Sequence, residues 1–137
     1  MPKFLISYFA TALVFCALDF VWLGVVVKEF YLREIGPLLL PSPRMAPAAA
    51  FYLLYVVGIV VFAIQPALDA DRWQKALGYG ALLGLIAYAT YDLSNLATLK
   101  GWSMSLAIVD IAWGAAVTAA AATAGFWISR AVIARFY

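Results

Sequence analysis

Residues 103–129 read SMSLAIVDIAWGAAVTAAAATAGFWIS and contain a single charged side chain, Asp110. At a rise of about 1.5 Å per residue, a helix of this length spans the roughly 30 Å hydrocarbon core of a bilayer. In lipid, only a helix satisfies its backbone polar groups within one segment, and the run is too uniformly apolar for a barrel strand. The segment therefore predicts a transmembrane helix.

Three further runs have the same apolar character, at about 4–27, 47–65 and 76–98. Pro66 is expected to close the second of these runs, since proline interrupts a helix. Short polar turns follow the second and third runs, whereas the longer stretch 28–46 joins the first two. The sequence thus predicts one all-α domain over residues 1–137: a four-helix transmembrane bundle of up-down topology, with a longer interfacial connection between helices 1 and 2.

The composition of the whole chain excludes several classes of protein. Of its 137 residues, 67% are hydrophobic and 12% are charged, whereas soluble domains carry roughly 25% charged residues. The net charge of +2 offers no basic surface for nucleic acid. The chain has no His and one Cys, which excludes imidazole metal sites, His-ligated haem and an intrachain disulfide. We expect no metal, no cofactor and no nucleic-acid partner, and we expect the lipid bilayer as the surroundings.

Three carboxylates, Asp19, Asp92 and Asp110, fall inside the apolar runs. A charged group at bilayer depth costs at least about 2.5–3.5 kcal/mol on insertion scales, so each needs a partner, water or a proton. Asp19 and Asp92 come late in the first and third runs, and Asp110 comes early in the fourth. Because alternate spans run in opposite directions, all three carboxylates are expected in one leaflet, about 9–12 Å below the helix ends.

Aromatic and amide side chains accompany these carboxylates at helical spacings. In the first and fourth runs a Trp follows the Asp by three residues, which puts both on one helix face. In the third run Tyr, Asp and Asn share a stripe at spacings of four and three residues. The predicted ligand- or proton-binding set is Asp19, Trp22, Tyr88, Asp92, Asn95, Asp110 and Trp113.

Small residues on the third and fourth runs predict close helix packing. Gly80 and Gly84 have the spacing that lets another helix backbone approach closely. Gly114 lies in a fourth run that is rich in alanine. We expect these three glycines to serve helix packing.

Two interpretations of the acidic layer stay open at this point. Polar side chains in a small bundle can simply hydrogen-bond helices together, for about 0.6 kcal/mol per bond. An intramembrane carboxylate, however, indicates a functional site by default. The favoured hypothesis is a polytopic membrane protein that binds or transports a small or lipid-like ligand, or protons, through the Asp/Trp/Tyr cluster. Since four spans are few for a transporter, we expect a homodimer.

Two other functions compete with this hypothesis. The first alternative is a non-catalytic accessory or assembly subunit of a larger membrane complex, which would use the small-residue helix faces as contact surfaces. The second is an intramembrane enzyme that uses paired Asp residues as acid and base on a lipid-like substrate. The sequence contains no nucleophile motif, metal cluster or phosphate loop, so a non-enzymatic role is favoured.

Four segments of the chain resemble a family of small bacterial four-span membrane proteins known as a domain of unknown function. They are LDFVWLG at 18–24, FYLREIG at 30–36, YDLSNLAT at 91–98 and VDIAWG at 109–114. The resemblance covers nearly the whole chain and includes all three buried Asp residues. It implies a bacterial inner-membrane location, and it implies no activity.

The distribution of basic residues predicts an orientation. In a four-span chain both termini share a side, and that side would hold five basic residues against four on the other. The positive-inside rule then places the termini in the cytoplasm. The five are Lys3, Arg72, Lys75, Arg130 and Arg135, and the four are Lys28, Arg33, Arg44 and Lys100.

Overall fold

The computed structural model describes residues 2–137, and all regular structure among them is helical, as the sequence predicts. Two of the long segments include a π-helical turn, and a short helix and a 3₁₀ turn lie in the first connection. The elements are α1 (Pro2–Val21) with the π turn Trp22–Val26, α2 (Lys28–Ile35), the 3₁₀ turn Gly36–Leu38, α3 (Met45–Ile59), the π turn Val60–Ile64, α4 (Gln65–Ala70), α5 (Trp73–Thr98) and α6 (Met104–Phe136).

Three of the helical segments are long and apolar enough to cross a membrane: Pro2–Val26, Met45–Ala70 and Met104–Phe136. Helix α5 is similar in length, with 26 residues, but it is less apolar because it carries the polar stripe described above. The fold is therefore helical, with several membrane-spanning segments.

Contacts near the N- and C-termini identify one end of the helical bundle. The Lys3 ammonium lies 6.0 Å from the centre of the Tyr137 ring, so the two termini are neighbours. Arg130 near the C-terminus forms a 2.7 Å ion pair with Asp71, which lies in the turn between α4 and α5. We call this the terminal end. Helix α2 and the connection between α5 and α6 lie at the opposite end, which we call the α2 end.

The prediction that Pro66 closes the second span is wrong. The helical path runs through Pro66 to Ala70, where the left-handed Asp71 (φ 51°) ends it. Proline cannot donate a backbone hydrogen bond, and its ring crowds the carbonyl one turn earlier. The π turn Val60–Ile64 loosens the backbone directly before Pro66, which is the usual way a helix accommodates such a break.

The fourth predicted run begins where the sequence places it and extends further. Ser103 caps α6, because its hydroxyl accepts a hydrogen bond of 3.1 Å from the Leu106 amide. The helix continues past Ser129 to Phe136, well beyond the predicted end of the apolar run. This last part carries Arg130 and Arg135, and its basic side chains favour a helix C-terminus.

Helices α5 and α6 pack with their backbones in close contact. A Cβ atom added to Gly84 would collide with the Gly114 carbonyl oxygen, and one added to Gly80 would lie 2.8 Å from the Ala122 Cβ. A Cβ on Gly114 would overlap the ring of Tyr88. These three glycines therefore set both the separation of α5 and α6 and the place of the Tyr88 ring.

We expect Gly84→Ala to destabilise the fold, because the added methyl group must push α5 away from the α6 backbone. Overpacking of this kind costs about 1–3 kcal/mol of unfolding free energy. Gly78 is the matched control on the same helix: it is exposed and has nothing within 4 Å of an added Cβ. Gly78→Ala should be neutral or slightly stabilising. Unfolding by SDS in mixed micelles measures both, and equal stabilities would contradict the proposed contact.

Candidate intramembrane site

A cavity of about 550 Å³ lies at the α2 end, between α1, α3, α5 and α6 and beneath α2. Its walls combine a majority of aromatic side chains with two carboxylates, Asp19 and Asp110. The aliphatic side chains Leu23, Ile35, Leu39, Ala87 and Leu106 complete the wall. The aromatic residues are Trp22, Tyr31, Phe51, Tyr52, Tyr88, Tyr91, Trp102 and Trp113.

Asp19 is held by hydrogen-bond donors from two other helices. The Tyr52 hydroxyl on α3 donates to Oδ2, and the Trp113 indole Nε1 on α6 donates to Oδ1 at 3.1 Å. The residue is 5% exposed. Donors aimed at both oxygens stabilise a carboxylate that is removed from water. Asp19 therefore ties α1, α3 and α6 together at one point of the cavity wall.

Asp110 connects the cavity wall to α2. The Tyr31 hydroxyl donates to Asp110 Oδ1 at 2.6 Å. The Ser103 hydroxyl, at the N-cap of α6, donates a hydrogen bond of 2.6 Å to the Glu34 carboxylate. Helix α2 is therefore hydrogen-bonded to the start of α6 at two places. Ile35 from α2 is buried and lines the cavity. Helix α2 thus forms a cover over the cavity that two polar contacts hold in place.

The Tyr31 hydroxyl stays a donor over a wide pH range. Burial, and then the hydrogen bond to the Asp110 carboxylate, raise the pKa of Tyr31 well above its ordinary value of 10.0. Because the folded-state value lies above the unfolded one, the contribution to stability is fully present below pH 10 and declines as the pH rises beyond it. The bond between Tyr31 and Asp110 therefore does not weaken by tyrosine ionisation near neutral pH.

Two indoles from helices α1 and α6 stack across the cavity wall. The rings of Trp22 and Trp113 lie 4.2 Å apart with an angle of 3° between their planes. The Trp22 Nε1 is buried and has no hydrogen-bond partner among the described residues. Trp113 donates to Asp19 on α1 and not to Asp110 in its own helix.

Asp92 lies behind the cavity wall. It is fully buried, and neither of its carboxyl oxygens has a hydrogen-bond partner in the described part of the chain. The Asp110 carboxyl and the Trp102 indole lie beside it. Burial of a carboxyl group without hydrogen-bond partners is energetically costly.

Five of the seven residues singled out in the sequence line the cavity: Asp19, Trp22, Tyr88, Asp110 and Trp113. Asp92 adjoins it through Asp110. Asn95 does not line the cavity. It lies one helical turn after Tyr91, nearer the C-terminal end of α5. The common height of the three carboxylates follows the antiparallel arrangement of the helices. That these residues bind a ligand or a proton stays a prediction.

Sequence reasoning missed four polar aromatic residues of the site: Tyr31, Tyr52, Tyr91 and Trp102. Tyr31 and Tyr52 look like ordinary interfacial or core aromatics, since neither lies near an Asp in sequence. The sequence did indicate that such donors must exist, because three carboxylates in lipid need several O–H or N–H groups as hydrogen-bond donors. The sequence could not tell which of the Tyr and Trp residues supply them.

No cluster of three metal-ligating side chains (Cys, Asp or Glu) occurs among residues 2–137. The cavity wall presents hydrogen-bond acceptors, aromatic faces and apolar surface.

Residues 4–127 match the family described as "Predicted membrane protein (DUF2177)". The chain belongs to this family. The match extends from the first turns of α1 to Trp127 on α6, so every wall of the cavity lies within the family's common region. No curated protein and no solved structure matches the chain.

We expect Tyr31→Phe to loosen α2 without unfolding the bundle. A hydrogen bond to a charged group makes a net contribution of about 1.5–3 kcal/mol. Its loss therefore corresponds to at least about tenfold faster local opening of α2. Amide hydrogen exchange over residues 28–35 measures this change. Tyr79→Phe, at an exposed position on α5, is the matched control and should leave the exchange unchanged. Equal exchange rates in both variants would show that Tyr31 does not hold α2.

Proposed function

We propose that this membrane protein binds a small or lipid-like organic ligand in the cavity at the α2 end. The observation that carries the proposal is the wall itself, in which two fixed carboxylates face an aromatic space of about 550 Å³. Binding sites for small molecules have this size and this mixture of apolar walls with a few positioned polar groups. Buried polar side chains that only joined helices would not need to surround such a space.

We further propose that α5 is the fourth membrane span. Its 26 residues measure about 39 Å at 1.5 Å per residue, which exceeds the bilayer core. The proximity of Lys3 to Tyr137 supports an even number of crossings. On this arrangement the chain lies in a bacterial inner membrane with cytoplasmic termini, and the cavity faces the opposite side.

The packing beneath the cavity favours binding over conduction. Phe15, Tyr55 and Thr118 form a buried layer one turn closer to the terminal end. The Tyr55 and Thr118 hydroxyls are 2.7 Å apart, and the Phe15 ring meets the Tyr55 ring edge-on at 5.3 Å. A ligand in the cavity therefore faces one side of the membrane only. Transport would require this layer to rearrange.

Two observations weaken the competing functions. Gly80 and Gly84, whose spacing suggested a contact surface for a partner, are used inside the chain against α6. The residues that line the cavity within the described chain include no Ser, Thr, Cys or Lys, so an enzyme would have to work with the carboxylates and tyrosine hydroxyls of the wall alone. The binding function needs neither a partner protein nor a nucleophile.

Quenching of tryptophan fluorescence by para-bromobenzyl alcohol tests the proposed binding. The bromine atom quenches nearby indoles, and Trp22, Trp102 and Trp113 all line the cavity. We expect a saturable decrease of fluorescence in the purified protein, with probe concentrations corrected for partitioning into detergent. Ala87→Phe places a ring in the cavity and should abolish the saturable part.

The control is Ala112→Phe, which makes the same change at an exposed position on α6. It should retain the saturable quenching. If quenching rises linearly with probe concentration in wild type and both variants, the probe is only dissolving around the protein. That result would contradict the proposed function.

A further inference from the structure

The charges around the cavity do not balance. Asp19 and Asp110 lie on its wall, and no Lys or Arg lines it among the described residues. Within residues 2–137 the ion pair between Arg130 and Asp71 lies at the terminal end, far from the cavity. The polar partners of both carboxylates are neutral hydroxyl and indole groups. The cavity therefore concentrates negative charge that its own surroundings do not neutralise.

Asp92 adds an independent indication of an incomplete site. Its side chain is fully buried, and both oxygens lack partners. The groups that face it are Asp110 on α6, Tyr31 on α2, Trp102 in the α5–α6 connection and its neighbour Tyr91. None of these is a cation. Asp92 and Asp110 therefore lie side by side without a basic neighbour among these groups.

The aromatic wall suits a positively charged guest. Indole and phenol rings present electron-rich faces that attract an organic cation, and the attraction grows when water is excluded. Eight of the fifteen residues that line the cavity are aromatic. A neutral apolar guest would gain from the same area, but it would leave the two carboxylates without a counter-charge.

We propose that the ligand is an organic ammonium compound, with its N–H groups between Asp19 and Asp110 and its apolar part against the stacked Trp22 and Trp113. This inference rests on the proposed function and specifies the ligand class. A primary or secondary ammonium fits best, because it brings both the charge and the donors that carboxylates accept. The source can be a free amine or the headgroup of an aminolipid.

The test compares para-bromobenzylamine, which is protonated at neutral pH, with para-bromobenzyl alcohol in the quenching assay. The two probes have nearly the same size and both donate hydrogen bonds, so they differ mainly in charge. We expect the ammonium probe to bind at least about tenfold more tightly than the alcohol in wild type. In Asp110→Asn this preference should fall by about tenfold relative to wild type, because the ratio of the two affinities cancels any change that affects both probes alike.

Three further variants test which carboxylates produce the preference for the ammonium probe. Asp19→Asn should also lower the preference, since Asp19 supplies the second carboxylate. Asp92→Asn should leave it unchanged, because Asp92 lies behind the cavity wall and does not line it. Asp69→Asn removes the same charge at an exposed position near the terminal end and should have no effect. Binding of the alcohol reports that each variant has kept its fold.

Two results would overturn the ammonium proposal in distinguishable ways. Saturable binding of both probes with equal affinity in wild type would leave a ligand-binding cavity and reject the cationic ligand. Absence of saturable binding for both probes would reject the proposed function together with its ligand class. To separate the two sources, the ammonium probe competes with free octylamine and with vesicles that contain phosphatidylethanolamine. Relief of quenching by only one competitor identifies the source.

Discussion

The close contact between α5 and α6 is the constraint on which the rest of the structure depends. The Gly114 carbonyl lies where a side chain on Gly84 would otherwise be, and the Tyr88 ring lies over Gly114 itself. This packing brings Asp92 on α5 beside Asp110 on α6. It also fixes one wall of the cavity, because Tyr88 and Trp113 hold their positions through the same helix pair. In lipid, where apolar attraction between helices is weak, such close backbone packing is a principal source of cohesion.

Burial of carboxylates explains the polar contacts at the α2 end. Asp19 and Asp110 would be too costly in hydrocarbon without donors, and tyrosine and tryptophan side chains from three other elements supply them. These donors also form the cavity wall. The same requirement therefore holds the helices together and leaves acceptor groups facing an open space. Asp19 and Asp110 thus join helices and also line the cavity, whereas the oxygens of Asp92 have no donor among the described residues.

The two ends of the molecule have different characters. Towards the terminal end, side chains such as Phe15, Ile59 and Phe126 fill the interior completely. At the α2 end the interior is open, and α2 covers it through contacts that involve single hydroxyl groups. A compact half that supports an open half is a common basis for ligand sites, since the packed half keeps the wall residues in place. The family match covers residues from both halves.

The sequence by itself determined that the chain is helical and that it lies in a membrane, and it predicted one level for Asp19, Asp92 and Asp110. These properties follow from hydrophobic run lengths and from the reversal of direction between successive helices, which are local quantities. Only the tertiary structure decided that Tyr31 and Tyr52 serve these carboxylates, that Asp92 is sealed without a partner, and that Pro66 lies inside a helix. Each of these depends on how helices distant in sequence rotate and approach one another. Hydrogen bonds such as that from Tyr31 to Asp110 join residues far apart in the chain, and no local pattern encodes their pairing.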